Sequence, residues 1–346
     1  MKKLEFYTFM KKIPKAEIHI HSEAAVTEAT IKKLYQQNKD SSLINSKELD
    51  NFFSFNNLSE FVQCFIKLQK LLKTPEDLKY LFEDLGSYLQ NNNIVYAEVF
   101  FSPTSFLRKG FEFKEMLSII DSKIDQIKKE KGITVKLIID VSRTFGVENA
   151  MHNLSLIQKL NDSHIIGIGL GGDELNGPAK EYAEVFKEAK KVGLHVVAHA
   201  GEDVGPQSII DSINYLGIER IGHGITAIQD KELVKRLTKS QIPLEICVTS
   251  NLFTKKVVKK MSEHPVRYFY DEGVFITINS DDPSFFKVSI TDEYWNLYSQ
   301  LNFTMKEIKQ LVLNGFDAAF ISVEEKKKYT DTVLAAWEKA EKEVHN

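Results

Sequence analysis

Residues 165–200 read IIGIGLGGDELNGPAKEYAEVFKEAKKVGLHVVAHA. A β-branched run, a glycine-rich bend, a charged stretch of helical period and a second apolar run follow one another. That is the order of a β–α–β unit with parallel strands. Similar runs stand at 17–21 (EIHIH), 94–101 (IVYAEVFF), 134–141 (TVKLIIDV), 220–224 (RIGHG), 243–248 (PLEICV) and 275–279 (FITIN). With the two in the opening stretch they make eight, separated by helical segments such as KELVKRLTKSQ (231–241). Eight such units predict an α/β fold in which the parallel sheet closes on itself, a (β/α)8 TIM barrel. No fixed-period sequence repeat accompanies them.

Two regions exceed a minimal barrel. Residues 26–93 are too long for one crossover and read as extra helices inserted after the first strand. Within them TPEDLKYLFEDLGSYLQ offers Thr74 as an N-cap and proline at the first helical position. From Thr304 onward the chain reads as a C-terminal helical tail. No Gly/Ser- or Pro-rich linker interrupts residues 1–346, so one domain with a helical insertion at about 26–93 is expected.

Composition narrows the partners. The 346 residues are 43% hydrophobic and 27% charged, with a net charge of −3, which gives no basic footprint for nucleic acid. Lysines are interspersed with acids and read as solvated helix faces. Two cysteines, Cys64 and Cys247, form no CxxC pair and suit a reducing compartment. The basic N-terminus lacks the apolar core and cleavage site of a signal peptide, and no apolar run reaches the roughly 20 residues needed to cross a bilayer. A cytoplasmic protein is expected, acting on a small molecule, with no membrane and no protein partner indicated.

The polar residues fall where barrel chemistry is done, at the carboxyl ends of the strands. His19 and His21 close the first run, His199 the fifth and His223 the sixth, and Asp281 and Asp282 follow the eighth. The i, i+2 spacing of His19 and His21 puts both side chains on one face of a strand. Taken singly, each feature has an ordinary structural reading: a satisfied strand pair, a buried histidine, an Asx turn. Taken together across more than 250 residues, His19, His21, His199 and Asp281 form a ligand set suited to one zinc with an open position for water, although another divalent ion also fits. Glu202, three residues past His199, is expected as a proton shuttle, His223 as the group orienting the water, and Asp282 as a substrate contact. The glycines of GLGGDE (169–174) allow close backbone approach to a flat ligand, or a tight turn. His164, His195 and His264 lack this positional support and read as structural or surface residues.

PKAEIHIHSEA (14–24), GGDE (171–174), HAGE (199–202), GHG (222–224), PLEICVTSN (243–251) and SDDP (280–283) together resemble the adenosine deaminase family of metal-dependent hydrolases. The likeness runs from about Pro14 to Phe320. It implies a barrel holding one zinc and hydrolysing the 6-amino group of a purine to a 6-oxo purine and ammonia. It implies His19, His21, His199 and Asp281 as ligands, Glu202 as proton donor to purine N1, and His223 as activator of the attacking water. It also implies Asp282 at N7 and the Gly172 amide at N3. The helix at 55–68 resembles the family's apolar gate, with Leu58, Phe61, Val62 and Phe65 on one side, and reads equally as a core-facing helix.

The departures bear on substrate. His21-Ser22-Glu23-Ala24 replaces the family's H-L-D-G, so Glu23 stands where an aspartate meets ribose. Phe100 stands where adenosine deaminases commonly have arginine, and the paired phenylalanines resemble the adenine deaminase branch. The glycine pair of GGDE is kept where that branch has serines, and Val248 replaces a proline. The leading expectation is deamination of adenosine or 2′-deoxyadenosine. The alternatives are adenine, or a modified adenosine such as aminodeoxyfutalosine or methylthioadenosine, and, more remotely, a non-catalytic purine-binding protein. The H-x-E and P-C-x-x-C pattern of cytidine-deaminase sites is absent.

Overall fold

The first strand already separates the two faces of the sheet. In the computed structural model, which describes residues 1–38, 49, 51–55, 58–254 and 257–345, β1 spans Lys15–His21. Ile18 and Ile20 are buried in the apolar layer shared with the helices, while Glu17 and His19 reach across the interior to Ser280 and Glu245. The other strands are β2 (Ile94–Phe101), β3 (Thr134–Asp140), β4 (Ile165–Leu170), β5 (His195–Ala200), β6 (Arg220–His223), β7 (Leu244–Ile246) and β8 (Ile276–Ile278). They lie in sequence order and every neighbouring pair is parallel. Asp281 supplies the seam between the last strand and the first. Its carbonyl accepts from His21 N at 3.2 Å and its amide donates to His19 O at 3.3 Å.

The expected eight-stranded barrel is therefore present. Strands β2, β4 and β5 keep the expected bounds, and the others shift by one or two residues at one or both ends. β7 stops at Ile246, and Val248 already begins the helix Val248–Thr254. Between β1 and β2 lie the helices Glu28–Asn38, Leu58–Leu71 and Leu78–Asn91. Thr74 and Pro75 open the last of these through a 3-10 turn, Pro75–Asp77, in which Asp77 Oδ2 accepts from the amides of Lys73 and Thr74. No helix among the described residues is long and apolar enough to cross a membrane.

The barrel interior is mixed. Phe100, Ile138 and Val197 form a small apolar cluster with Ile166 and Phe320, and Glu17, Glu98, Arg220 and Glu245 form a buried polar layer. The tail helices Met305–Ala318 and Val323–His345 bring Trp337 edge-on to Phe9, ring centroids 4.8 Å apart. Trp337 is buried, so Trp337→Ala is expected to lower stability by about 3–5 kcal/mol, read from urea unfolding of the whole chain.

Candidate active site

The carboxyl ends of β1, β5, β6 and β8 converge on one cluster. The rings of His19 and His21 stand 5.7 Å apart, and that of His199 lies 4.6 Å from the first and 5.5 Å from the second. These three can each bring one ring nitrogen within 4.8 Å of the others. Asp281 Oδ1 lies 3.3 Å from His21 Nε2 and 3.5 Å from His19 Nε2. Cys247 groups in the same way with His19 and Asp281, and Asp282 with His21 and Asp281. His19 Nε2 and His199 Nδ1 are buried without a hydrogen-bond partner. Buried polar atoms left so are costly unless a ligand engages them. Three imidazoles and a carboxylate are a donor set for zinc or a similar divalent ion, so the residues present fit a resident metal.

Backbone geometry brings these groups together. His223 (φ +60°) and Asp281 (φ +63°) are both non-glycine residues in the left-handed region, a strain that recurs at functional sites. Gly222 has no side chain for a steric reason. An added Cβ would stand 2.9 Å from His19 Cε1 and 3.2 Å from His199 Cα, so glycine leaves room for both imidazoles.

A second set of groups flanks the cluster. His223 Nε2 is 3.4 Å from Glu202 Oε2. Asn251 Nδ2 donates to His223 Nδ1 at 3.1 Å, and Asn251 Oδ1 lies 3.4 Å from His264 Nε2. His264 is thus a buried structural residue tied to the site through Asn251. Burial pushes the His223 imidazole down to about 3, which keeps it neutral. Burial and the negative charge of Asp281 hold the Glu202 carboxyl well above its ordinary range, and the same two causes push Asp282 up.

Glu174, last of the GGDE run, holds the loop that carries Glu202. Its carboxylate accepts from the amides of Gly201, Glu202 (3.2 Å), Asp203 (3.0 Å) and Val204 (3.4 Å). Glu174→Ala should let that loop drift and lower kcat by up to about 10²-fold with metal content unchanged, checked by steady-state kinetics and metal analysis.

The remaining predicted contacts are dispersed around the cluster. Gly172 (φ +90°) is exposed on the loop after β4, where a Cβ would stand 2.6 Å from Thr144 Oγ1. Glu23 is buried, accepting from Ser22 Oγ at 2.6 Å and Gln69 Nε2 at 3.1 Å. Phe61 stacks on Phe286 at 5.2 Å and Phe65 faces Phe285 at 5.6 Å. Phe285 and Phe286, with Phe53, Phe55, Phe253 and Lys287, line a cavity of ≈ 390 Å³. The side chains of Leu58 and Val62 lie outside the described residues. Phe100 packs against the rings of His19 (4.9 Å), His21 (5.4 Å) and His199 (5.3 Å), a wall behind the imidazoles.

Sequence reasoning missed Glu174 as an anchor, Asn251, Gln69 and Glu245. Glu245 left a signal as an acid inside the apolar run PLEICV, and Glu174 and Asn251 stand in the quoted GGDE and PLEICVTSN motifs without their roles being read.

The adenosine deaminase family model matches residues 14–336. An aminodeoxyfutalosine deaminase of Streptomyces avermitilis is 31% identical over 339 residues, covering 96% of this chain and 94% of its own. An adenine deaminase of Psychrobacter cryohalolentis is 33% identical over 325 residues, covering 94% and 97%. An amidohydrolase of Burkholderia ambifaria, solved with bound zinc, superposes with a TM-score of 0.93 over 100% of this chain and 96% of its own. At 22% identity that likeness is one of fold.

Proposed function

The chain belongs to the adenosine deaminase family, as a hydrolytic deaminase of adenine-type substrates, and on that premise we propose that it is a zinc enzyme acting on a 6-aminopurine nucleoside. The observation that carries this reading is the convergence of His19, His21, His199 and Asp281 beside Glu202 and His223. We take the whole chain as one domain, in which the inserted helix Leu58–Leu71 reaches Glu23 through Gln69 and Phe286 through Phe61.

Zinc held by these four residues would supply Lewis acidity and make a water nucleophilic at neutral pH. The chain's own groups do the rest. Glu202, whose carboxyl burial and the charge of Asp281 hold well above its ordinary range, donates its proton to purine N1 as water adds at C6. The carboxylate so formed takes the water's proton and passes it to the 6-amino group, which leaves as ammonia. With the Asn251 amide donating to Nδ1, the His223 proton stands on Nε2, facing Glu202. In that tautomer His223 orients the attacking oxygen and stabilises its charge rather than taking its proton. Asp282, also pushed towards its protonated form, hydrogen-bonds N7, and the Gly172 amide meets N3.

Within the nucleosides, we favour one modified at the 5′ position over adenosine or 2′-deoxyadenosine. The Streptomyces avermitilis relative supports this by its named activity on aminodeoxyfutalosine, as does the aromatic cavity of ≈ 390 Å³ lined by Phe285 and Phe286 of the short helix that follows Asp282. The retained Gly171–Gly172 pair supports a nucleoside over the free base. A second reading, adenine deaminase, has the support of the Psychrobacter cryohalolentis relative and of Glu23 in place of aspartate.

A panel of aminodeoxyfutalosine, methylthioadenosine, adenosine, 2′-deoxyadenosine and adenine on zinc-loaded protein separates the readings. The expected order has a 5′-modified nucleoside first, by at least about tenfold in kcat/KM, or about 1.4 kcal/mol. Adenine as the best substrate moves the assignment to the second reading. Tight purine binding without turnover of any of the five leaves only a binding protein.

A further inference from the structure

We propose that Glu245, itself held by Arg220, is a positioning residue that fixes the tautomer and ring orientation of His19. The inference rests on the reading of His19 as a metal ligand. Glu245 Oε2 lies 2.6 Å from His19 Nδ1, and Glu245 Oε1 lies 2.6 Å from Arg220 Nε. The His19 and Glu245 side chains are 0% exposed and Arg220 is 1% exposed, so no water competes for these contacts. A carboxylate only accepts, so the His19 proton stands on Nδ1 and the lone pair on Nε2. Nε2 is the nitrogen that faces Asp281 and has no hydrogen-bond partner.

Glu245 is held in turn by a column of buried groups. Arg220 opens β6 and uses its planar fork to bridge two carboxylates, reaching Glu98 Oε2 at 2.6 Å with a terminal nitrogen. The same nitrogen donates to Ala318 O at 3.0 Å, and the guanidinium carbon lies 3.8 Å from the centre of the Phe320 ring. Glu98 accepts from the Tyr96 hydroxyl at 2.9 Å and the Phe320 amide at 2.6 Å. The segment 318–320 is thereby linked through Glu98, Arg220 and Glu245, from β2, β6 and β7, to the first ring of the metal cluster. A carboxylate in this relation to a ligating histidine governs metal affinity, and replacing it costs about 10–100-fold.

The test is zinc affinity by competition with a chromophoric chelator, on the whole chain and on Glu245→Gln and Glu98→Gln. Glutamine loses the charge that pairs with Arg220 and can turn either its oxygen or its NH2 towards His19 Nδ1, so the tautomer is no longer imposed. Glu245→Gln is expected to bind zinc about 10–100-fold more weakly, with a clearly smaller loss in Glu98→Gln, which acts on His19 only through Arg220 and Glu245. Affinity kept within about threefold in Glu245→Gln overturns the inference, as does an equal loss in Glu98→Gln, which would make the effect one of buried charge alone. An unsubstituted chain that binds no zinc sinks the metal reading instead. Should Glu245→Gln not fold, ¹⁵N-histidine spectra of the unsubstituted metal-free protein decide. A proton on His19 Nδ1 is expected, and a neutral ring protonated on Nε2 alone overturns the proposal.

Discussion

Glu202→Gln is expected to cut turnover of the preferred 6-aminopurine by about 10²–10⁴-fold while bound zinc stays at the unsubstituted level. The two halves of this expectation have separate structural grounds. Glu202 is absent from every metal-competent grouping of His19, His21, His199, Asp281, Asp282 and Cys247, so its loss takes no donor from the ion. Its loop is fixed through backbone amides donating to Glu174, contacts that glutamine leaves in place. What glutamine removes is a releasable proton at a carboxyl that burial and Asp281 hold well above its ordinary range. Turnover followed by substrate absorbance, beside metal analysis of the same sample, checks both halves. Unchanged turnover takes Glu202 out of proton transfer, and lost zinc makes it a ligand.

The candidate ligand cluster and the barrel were legible for one reason: strand period and strand-end position are properties of the chain taken locally. His19 and His21 share a face because side chains alternate, and His199, His223 and Asp281 announce themselves as polar residues ending apolar runs. Contacts that depend on what faces what across the barrel left little trace. Glu245 meets His19 across 226 residues, and Glu174 meets the Glu202 loop through backbone amides that no side-chain pattern records. The left-handed backbone at His223 and Asp281 is likewise silent, since neither residue type demands it.

Phe100 shows the limit from the other direction. Its identity reads as a substrate discriminator beside the family's arginine, yet its ring is spent on three imidazoles in the barrel interior. A phenylalanine there acts on the site through the packing of His19, His21 and His199. Residues from 53–55, 253 and 285–287 assemble one aromatic cavity from three distant parts of the chain.

Asp281→Asn is expected to lower turnover by about 10³-fold or more, because the cluster loses its carboxylate and with it several kcal/mol of charge stabilisation around the ion. The substitution isolates charge from fold. Asp281 stands at φ +63°, a conformation asparagine tolerates as readily as aspartate, so no backbone strain is added. The β8–β1 seam uses only its amide and carbonyl, which asparagine keeps. The variant is shape-conserving but loses the carboxylate that faces His19 and His21, so the zinc response of each protein is read against its own metal-free melting temperature. The loss should appear on adding zinc. The unsubstituted chain gains stability in proportion to its affinity, whereas the variant needs a higher zinc concentration for the same rise. Equal zinc-induced stabilisation with unchanged turnover would remove Asp281 from the ligand set and leave Cys247 and Asp282, the other groups within reach of His19 and His21, as the candidates to replace it.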